Sequence, residues 1–262
     1  MVIGWVSRAE EKDQDLAAMN AWQRVEMTQN RPGLPCLLVP QPAHAVLAGD
    51  LAEALLPSAF GELPREIKQS IMMHDTGWAM LDAAQIQSLR SAPAGNGALP
   101  VPFTGNSAEQ MVEAWTASIN SVERFSTAGG LIVSRHFVSL AKPAHAEYRR
   151  FLDAERARQR RLEAKQAASA ADLARWASAL AFCDLLSLYL LTGLRIDTNF
   201  PLARAAAHSG PSRSEAALRF EGDRLRFTPA VFEPDAGVAL EALRHPVAEG
   251  APRTEKLTWV FA

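Results

Sequence analysis

The sequence predicts a mostly α-helical fold with a small β-containing C-terminal extension, to which the N-terminus could add strands. Apolar residues recur at helical spacing between residues 41 and 193, and strand-like alternation replaces this pattern after Gly193. Hydrophobic residues make up 48% of the 262 residues and charged residues 21%, which is typical of a folded chain with a real core. We therefore expect a single domain over residues 1–262. Its helical body should span 41–193, and a β-rich tail at 194–262 should pack on that body.

The first half of the body contains two predicted helices and a long loop. The segment "AHAVLAGDLAEALL" places His44 in line with Leu47, Ala48 and Leu51, which is the pattern of a buried helical face. A second helix is expected over residues 64–85, with its proline in the first turn. The stretch from 91 to 106, "SAPAGNGALPVPFTGN", is dense in proline and glycine and predicts a loop. Loops of this length are often lids or binding loops.

Four further helices and several strands complete the prediction. Ser107 and Gln110 form a capping-box pattern at the start of one helix, and "GGLIVSRHFVSLAKP" is the next. A charged helix, "AEYRRFLDAERARQRRLEAKQ", and an apolar one around Asp184 follow. In the tail, "AALRFEGDRLRF" alternates on both sides of residues 221–223, which indicates a hairpin. The runs "VALEALRHPV", "KLTWVFA" and, near the N-terminus, "CLLVP" indicate further strands or extended segments.

Charge, cysteine content and hydropathy exclude several classes. A net charge of -2 gives no general attraction to nucleic acid or to anionic lipid. Cys36 and Cys183 form no CxxC pair, and the acidic N-terminus has no apolar signal region, so we expect a cytoplasmic protein. The apolar stretch 177–194 approaches the length of a membrane span, but Asp184 near its middle favours a helix buried in a protein core. Nucleotide-loop and serine-hydrolase motifs are absent from the sequence.

Ionisable side chains interrupt the apolar faces of four predicted helices. They are His44, the adjacent pair His74 and Asp75, His136 and Asp184. A buried carboxylate without a partner is costly. Two carboxylates and the imidazoles could satisfy one another through a divalent cation, since histidine nitrogen and aspartate oxygen suit zinc, iron, manganese and similar metals. Because neighbouring helical residues point about 100° apart, His74 and Asp75 could share a metal only if it lies beside their helix.

The ordered set His44, His74-Asp75 and Asp184 resembles the HD superfamily of metal-dependent phosphohydrolases. The segments "LLVPQPAHAVLAGDLA", "HDTGW" with a following Asp82, "GGLIVSRHFVSL" and "DLLSLYLL" are similar to an uncharacterised bacterial domain-of-unknown-function family related in form to HD domains. The resemblance covers residues 37–191. It implies an HD-like helical bundle in which His44, His74, Asp75 and Asp184 hold a metal such as Mn, Fe, Zn or Ni. Additional histidines could bring in a second metal. The family pattern often carries an acid where this chain has Thr76.

Several neighbouring residues have a functional and a structural interpretation. His136 could ligate a second metal, contact a phosphate or orient a water molecule. Trp78 could wall a pocket or simply pack, and Asp82 could reach the site or lie on a helix surface. The other three histidines, His145, His208 and His245, are predicted to lie at the surface.

Two function classes follow from these residues. The first is a metal-dependent hydrolase acting on a phosphate ester of a small molecule, with Asp75 and His136 as catalytic residues; a two-iron HD-type oxygenase is a variant of this class. The second is a non-catalytic metal- or ligand-binding regulatory module, in which the cluster only holds the helices together. Neither class requires nucleic acid or a membrane.

Overall fold

Helices form most of the described chain, and seven strands form one sheet, which confirms the mostly helical class with a strand portion. The computed structural model describes residues 1–5, 16, 18–30, 35–91, 99–202, 215–245 and 253–262. The α-helices in chain order are α1 (Ala21–Asn30), α2 (Gln41–Glu53), α3 (Pro57–Phe60), α4 (Arg65–Met72), α5 (Ala79–Ser91), α6 (Ala108–Phe125), α7 (Thr127–Leu140), α8 (Ala146–Glu163) and α9 (Ala170–Leu191). Short 3-10 helices cover Thr76–Trp78 and Phe103–Gly105. The strands are β1 (Val2–Trp5), β2 (Cys36–Val39), β3 (Thr198–Pro201), β4 (Glu215–Glu221), β5 (Arg224–Thr228), β6 (Gly237–His245) and β7 (Thr254–Phe261).

Helix α9 lies at the centre of the helical part. It packs against α1, α2 and α7, and most of its side chains are buried. Within the described ranges it is the single helix long and apolar enough to cross a membrane, yet 72% of its apolar window is buried inside the protein. A core helix of a soluble protein has this property, as the sequence predicted for the segment around Asp184.

The sheet combines strands from both ends of the chain. Its strand order is β1-β2-β6-β7-β5-β4-β3, and all neighbours are antiparallel except β5 and β7. The predicted hairpin joins β4 to β5 through Gly222, whose φ of 61° is a conformation that glycine adopts without strain. Residues 1–40 were predicted to contribute only short strands. That expectation is incomplete because helix α1 lies between β1 and β2.

The sheet and the helices share one hydrophobic core. Phe182 on α9 contacts Phe200, Phe227 and Phe232 at ring-centroid distances of 5.9 to 6.0 Å, and Phe232 stacks on Phe261 at 3.9 Å. Since aromatic rings bury large apolar areas, this phenylalanine cluster attaches the strands to the helices.

The predicted continuous helix over residues 64–85 is wrong. Helix α4 ends at Met72, a turn carries His74 and Asp75, and a new helix begins only at residue 79. The His74 ring places its Nδ1 2.7 Å from the carbonyl oxygen of Ile71, which a continuing helix would use for the Asp75 amide. Gly77 then passes so close to α6 that a Cβ there would lie 2.1 Å from the carbonyl oxygen of Ala114.

The remaining loop and tail predictions have mixed outcomes. Ser107 and Gln110 form the predicted capping box at the start of α6. Of the predicted loop at 91–106, Ser91 ends α5, residues 92–98 lie outside the described residues, and 99–106 contain a 3-10 helix. His208 also lies outside the described residues. His245 was expected at the surface, but it ends strand β6 and is buried, because β2 pairs against it.

Candidate metal centre

Four separate segments bring five ionisable side chains together inside the protein. His44 comes from α2, His74 and Asp75 from the turn after α4, His136 from α7 and Asp184 from α9. Each of the five residues is more than nine-tenths buried. His74 and Asp75 were expected on a helix. The turn replaces that geometry, and it lets two adjacent side chains point to the same place.

Asp184 is the common partner of all three imidazoles. Its Oδ1 lies 3.0 Å from His44 Nε2 and 3.3 Å from His74 Nε2, and its Oδ2 lies 3.3 Å from His136 Nε2. The rings are held edge to face, with centroids 5.3 Å apart for His44 and His74 and 5.8 Å apart for His74 and His136. The cluster is therefore organised around one carboxylate.

Asp75 adds a second carboxylate on the other side of the histidine pair. Its Oδ2 lies 3.6 Å from His74 Nε2 and 3.4 Å from His44 Nδ1. The Nε2 atom of His74 is thus close to carboxylate oxygens of both Asp75 and Asp184. With neutral imidazoles the two carboxylates would leave a net charge of -2 in a buried site, which is costly without a cation or added protons.

The second ring nitrogens of His44 and His74 face backbone carbonyls. His74 Nδ1 lies 2.7 Å from the Ile71 oxygen, and His44 Nδ1 lies 3.3 Å from the Gln41 oxygen. A carbonyl oxygen can only accept, so a proton on Nδ1 satisfies it and leaves Nε2 with a lone pair in the neutral ring. A lone pair facing a carboxylate is repulsive unless a proton or a cation lies between them. Metal-bound histidines commonly have this backbone partner.

Burial and the carboxylates act in opposite directions on the histidines. Burial by itself lowers the pKa of His44, but the hydrogen bonds and charges of Asp184 and Asp75 outweigh it and raise the pKa from 6.5 to about 10. Burial likewise lowers the pKa of His74, and the same two carboxylates raise it above its usual value. Burial raises the pKa of Asp184, but hydrogen bonds from His136, His44 and His74 bring it well below the usual range. The site thus attracts positive charge.

Two groups of candidate ligand atoms lie close enough together to hold a metal ion. Two ligands at about 2.1 Å from a metal lie roughly 3.0 to 3.4 Å apart for octahedral to tetrahedral angles. The contacts of Asp184 with the imidazoles measure 3.0 to 3.3 Å, and the longest contact, between Asp75 and His74, measures 3.6 Å. In each of the two groups the ligand atoms lie within 4.8 Å of one another, and both groups include His74: one adds His44 and Asp75, the other His136 and Asp184. The donor set suits a divalent transition metal.

A cavity of about 430 Å³ opens onto one side of the cluster. Asp75, Asp184, His44 and His136 line it, while His74 lies behind them. The two carboxylate side chains keep 8% and 12% exposure, against 1% for the two histidines His44 and His74. A small molecule in the cavity can therefore reach the carboxylate side of the centre.

Asp82 is buried rather than on a helix surface, and its carboxylate contacts the N-terminus and the start of α2. Its carboxylate accepts hydrogen bonds from the Met1 amino group at 2.8 Å and from the Gln41 amide at 2.5 Å. Gln41 in turn faces His44 through its carbonyl oxygen. Helix α5 thus points Asp82 to the start of α2, the helix that carries His44, and its supporting role behind the cluster stays a prediction.

The cavity wall contains residues that the sequence did not single out. Trp78, one of the sequence candidates, lines it beside Trp115, Phe137 and Tyr148. His145, predicted as an uninvolved surface residue, is exposed but lines the same cavity. These residues come from distant helices with no shared motif, so only their spatial arrangement identifies them.

Comparison with known proteins identifies a family but no characterised relative. No curated protein and no solved structure matches the chain. One family model, described as a protein of unknown function (DUF3891), matches residues 27–244 and thus most of the chain, including all five residues of the cluster. The chain therefore belongs to the DUF3891 family.

Proposed function

We propose that this protein is a metal-dependent hydrolase of the HD type that acts on a phosphate ester. One observation carries the proposal: the Nε2 atoms of His44 and His74 meet a buried carboxylate of Asp184 while their Nδ1 atoms face backbone carbonyls. A cation resolves the conflict between two lone pairs and a carboxylate without adding protons. The order His44, His74-Asp75, Asp184 and their meeting point support the HD assignment.

The residues divide into metal ligands and groups for the substrate. His44, His74, Asp75 and Asp184 would hold a divalent ion such as Mn, Fe, Zn or Ni. When bound, such an ion polarises a phosphoryl oxygen and lowers the pKa of a water ligand. Asp75, which borders the cavity, is placed to orient a water molecule and to accept its proton. His136 also borders the cavity and can stabilise negative charge on a phosphate.

The cavity favours a catalytic centre over a purely structural one. A structural metal site is closed by protein ligands, whereas a catalytic site keeps one side for water or substrate. Here the carboxylate side of the centre borders a 430 Å³ cavity, a size typical of small-molecule sites. A regulatory module that binds a small ligand in the same cavity is the second candidate, and it predicts metal binding without turnover. We also propose that the protein acts in the cytoplasm.

Metal content tests the proposal most directly. Elemental analysis of the purified protein, before and after reloading with Mn²⁺, should find a bound divalent ion in the wild type. His74→Ala should lose that ion while keeping its helical circular dichroism. His145→Ala serves as the matched control, because it removes an exposed histidine of the same cavity and should keep the metal.

Hydrolysis is then measured with p-nitrophenyl phosphate, bis-p-nitrophenyl phosphate and mononucleotides. Turnover should depend on added metal and disappear in His74→Ala. Metal binding without turnover of any ester would favour the regulatory module. A wild-type protein that binds no divalent ion would contradict the proposal.

A further inference from the structure

The cavity beside the candidate metal centre is unusually rich in aromatic side chains. More than a quarter of the residues that line it are aromatic, against 7% of the whole chain. Trp115 stacks between Phe137 and Tyr148, with ring-centroid distances of 5.3 and 5.6 Å, so this part of the wall is rigid. The six aromatic lining residues are Trp22, Trp78, Phe103, Trp115, Phe137 and Tyr148. Such a wall favours a flat apolar ligand.

Charge in the cavity is sparse away from the cluster. Among the described residues of the lining, Lys142 is the one lysine or arginine, although the chain contains 27 such residues, and Glu26 offsets its charge. A chain of several phosphates needs several cations or bidentate arginines. The lining therefore suits a ligand with one phosphate group, which the metal centre itself would bind.

Three polar side chains of the lining have partners within the fold, whereas Gln41 Oε1 and the indole nitrogen of Trp78 are buried there without a hydrogen-bond partner among the described residues. The Thr104 hydroxyl donates to Asn30, the Asn106 amide donates to the Phe103 carbonyl, and Ser107 accepts from the backbone of Gln110. A sugar bearing several hydroxyl groups would find three of these groups engaged, and burying a hydroxyl without a partner is costly.

From these observations we infer the substrate class: a phosphate monoester whose leaving group is a small, uncharged, flat ring system. The phosphate group of this substrate class rests on the proposed hydrolase function. The preference for a flat ring depends only on the lining of the cavity. Hydrolysis would break the ester P–O bond with water, giving inorganic phosphate and an aryl or similarly flat alcohol that keeps the bridging oxygen and gains a proton.

Binding of non-hydrolysable probes tests the ring preference without turnover. With Mn²⁺-loaded protein, calorimetry should find phenylphosphonate bound at least tenfold more tightly than methylphosphonate, which has the same head group without the ring. Adenosine monophosphate should bind more weakly than phenylphosphonate. Affinities of phenyl- and methylphosphonate within twofold of each other, or tighter binding of the nucleotide, would overturn the inference.

A metal-free arm separates this inference from the hydrolase proposal. Protein stripped with a chelator should bind 1-naphthol, a neutral ring, with saturable quenching of tryptophan fluorescence. Trp115→Leu should weaken this binding at least fivefold. If that variant does not fold, Trp22→Ser decides the matter, because Trp22 is 37% exposed and should tolerate replacement.

Phe125→Ser is the matched control for Trp22→Ser, since Phe125 is also a large exposed apolar residue, at 47%, and does not line the cavity. It should leave the binding of 1-naphthol unchanged. Failure of Mn²⁺ to bind would contradict the proposed hydrolase, yet the 1-naphthol titration would still decide the ring preference. If both serine variants weakened the binding of 1-naphthol equally, or if 1-naphthol did not bind, the inferred ring preference would be overturned.

Discussion

Asp184→Asn is the sharpest perturbation of the cluster, because it removes one charge with almost no change in shape. Asp184 faces three imidazole Nε2 atoms at 3.0 to 3.3 Å, and its side chain is only 12% exposed. The amide keeps one oxygen, but its NH₂ group cannot accept a hydrogen bond from a protonated ring or bind a cation. The variant therefore loses the common partner of His44, His74 and His136.

The expected cost follows from the burial of these contacts. Removing one partner of a buried charged pair costs about 3 to 5 kcal/mol. Because Asp184 borders the cavity, the lower value of about 3 kcal/mol applies to the metal-free protein at pH 7. For a chain of this size that loss lowers the Tm by roughly 6 to 12 °C. Metal affinity should fall at least about 100-fold, because the change removes a ligand rather than a supporting group.

Three measurements check this prediction. Thermal unfolding with a chelator present gives the loss of stability, titration with Mn²⁺ gives the affinity, and NMR titration of the His44 ring should show a pKa well below its wild-type value. Asp153→Asn is the control, since Asp153 is an exposed aspartate on α8 with 76% side-chain exposure, and its Tm should change little. Unaltered metal affinity together with an unaltered Tm in Asp184→Asn would refute an organisation of the cluster around Asp184.

Three other perturbations test the surroundings of the centre. Burial lowers the pKa of His44, but the two carboxylates outweigh it and raise that pKa to about 10. Metal binding at pH 7 should therefore release protons and tighten as the pH rises. Calorimetry in two buffers measures the proton release, and binding without it would contradict this prediction. Because this folded-state pKa lies above 6.5, the metal-free protein should lose Tm between pH 6.5 and 10. Gly77→Ala should cost at least about 2 kcal/mol in urea unfolding, because its Cβ would lie 2.1 Å from a backbone oxygen, whereas Gly237→Ala, with 3.6 Å of room, should cost less than about 1 kcal/mol. Asp82→Asn should weaken Mn²⁺ binding about tenfold through Gln41, and an unchanged Kd would exclude that link.

Local patterns in the sequence were sufficient for much of the helical part. The apolar stripe around His44 predicts α2, and Ser107 with Gln110 predicts the start of α6, because periodicity and capping depend on residues a few positions apart. The hairpin at Gly222 follows from the same kind of local signal. The membership of the buried cluster also came from sequence, since an ionisable residue on an apolar face must find a partner.

What the sequence by itself determined, then, is which side chains are costly to bury: His44, His74, Asp75, His136 and Asp184. Only the tertiary structure decided how they meet. The helix break that turns His74 and Asp75 inward is accompanied by the close contact of Gly77 with α6, and the cavity wall joins side chains from helices far apart in the chain. The spacing of apolar residues reflects which face of a single segment is buried. Contacts between two segments depend on how they pack together, which cannot be read from the sequence of either one.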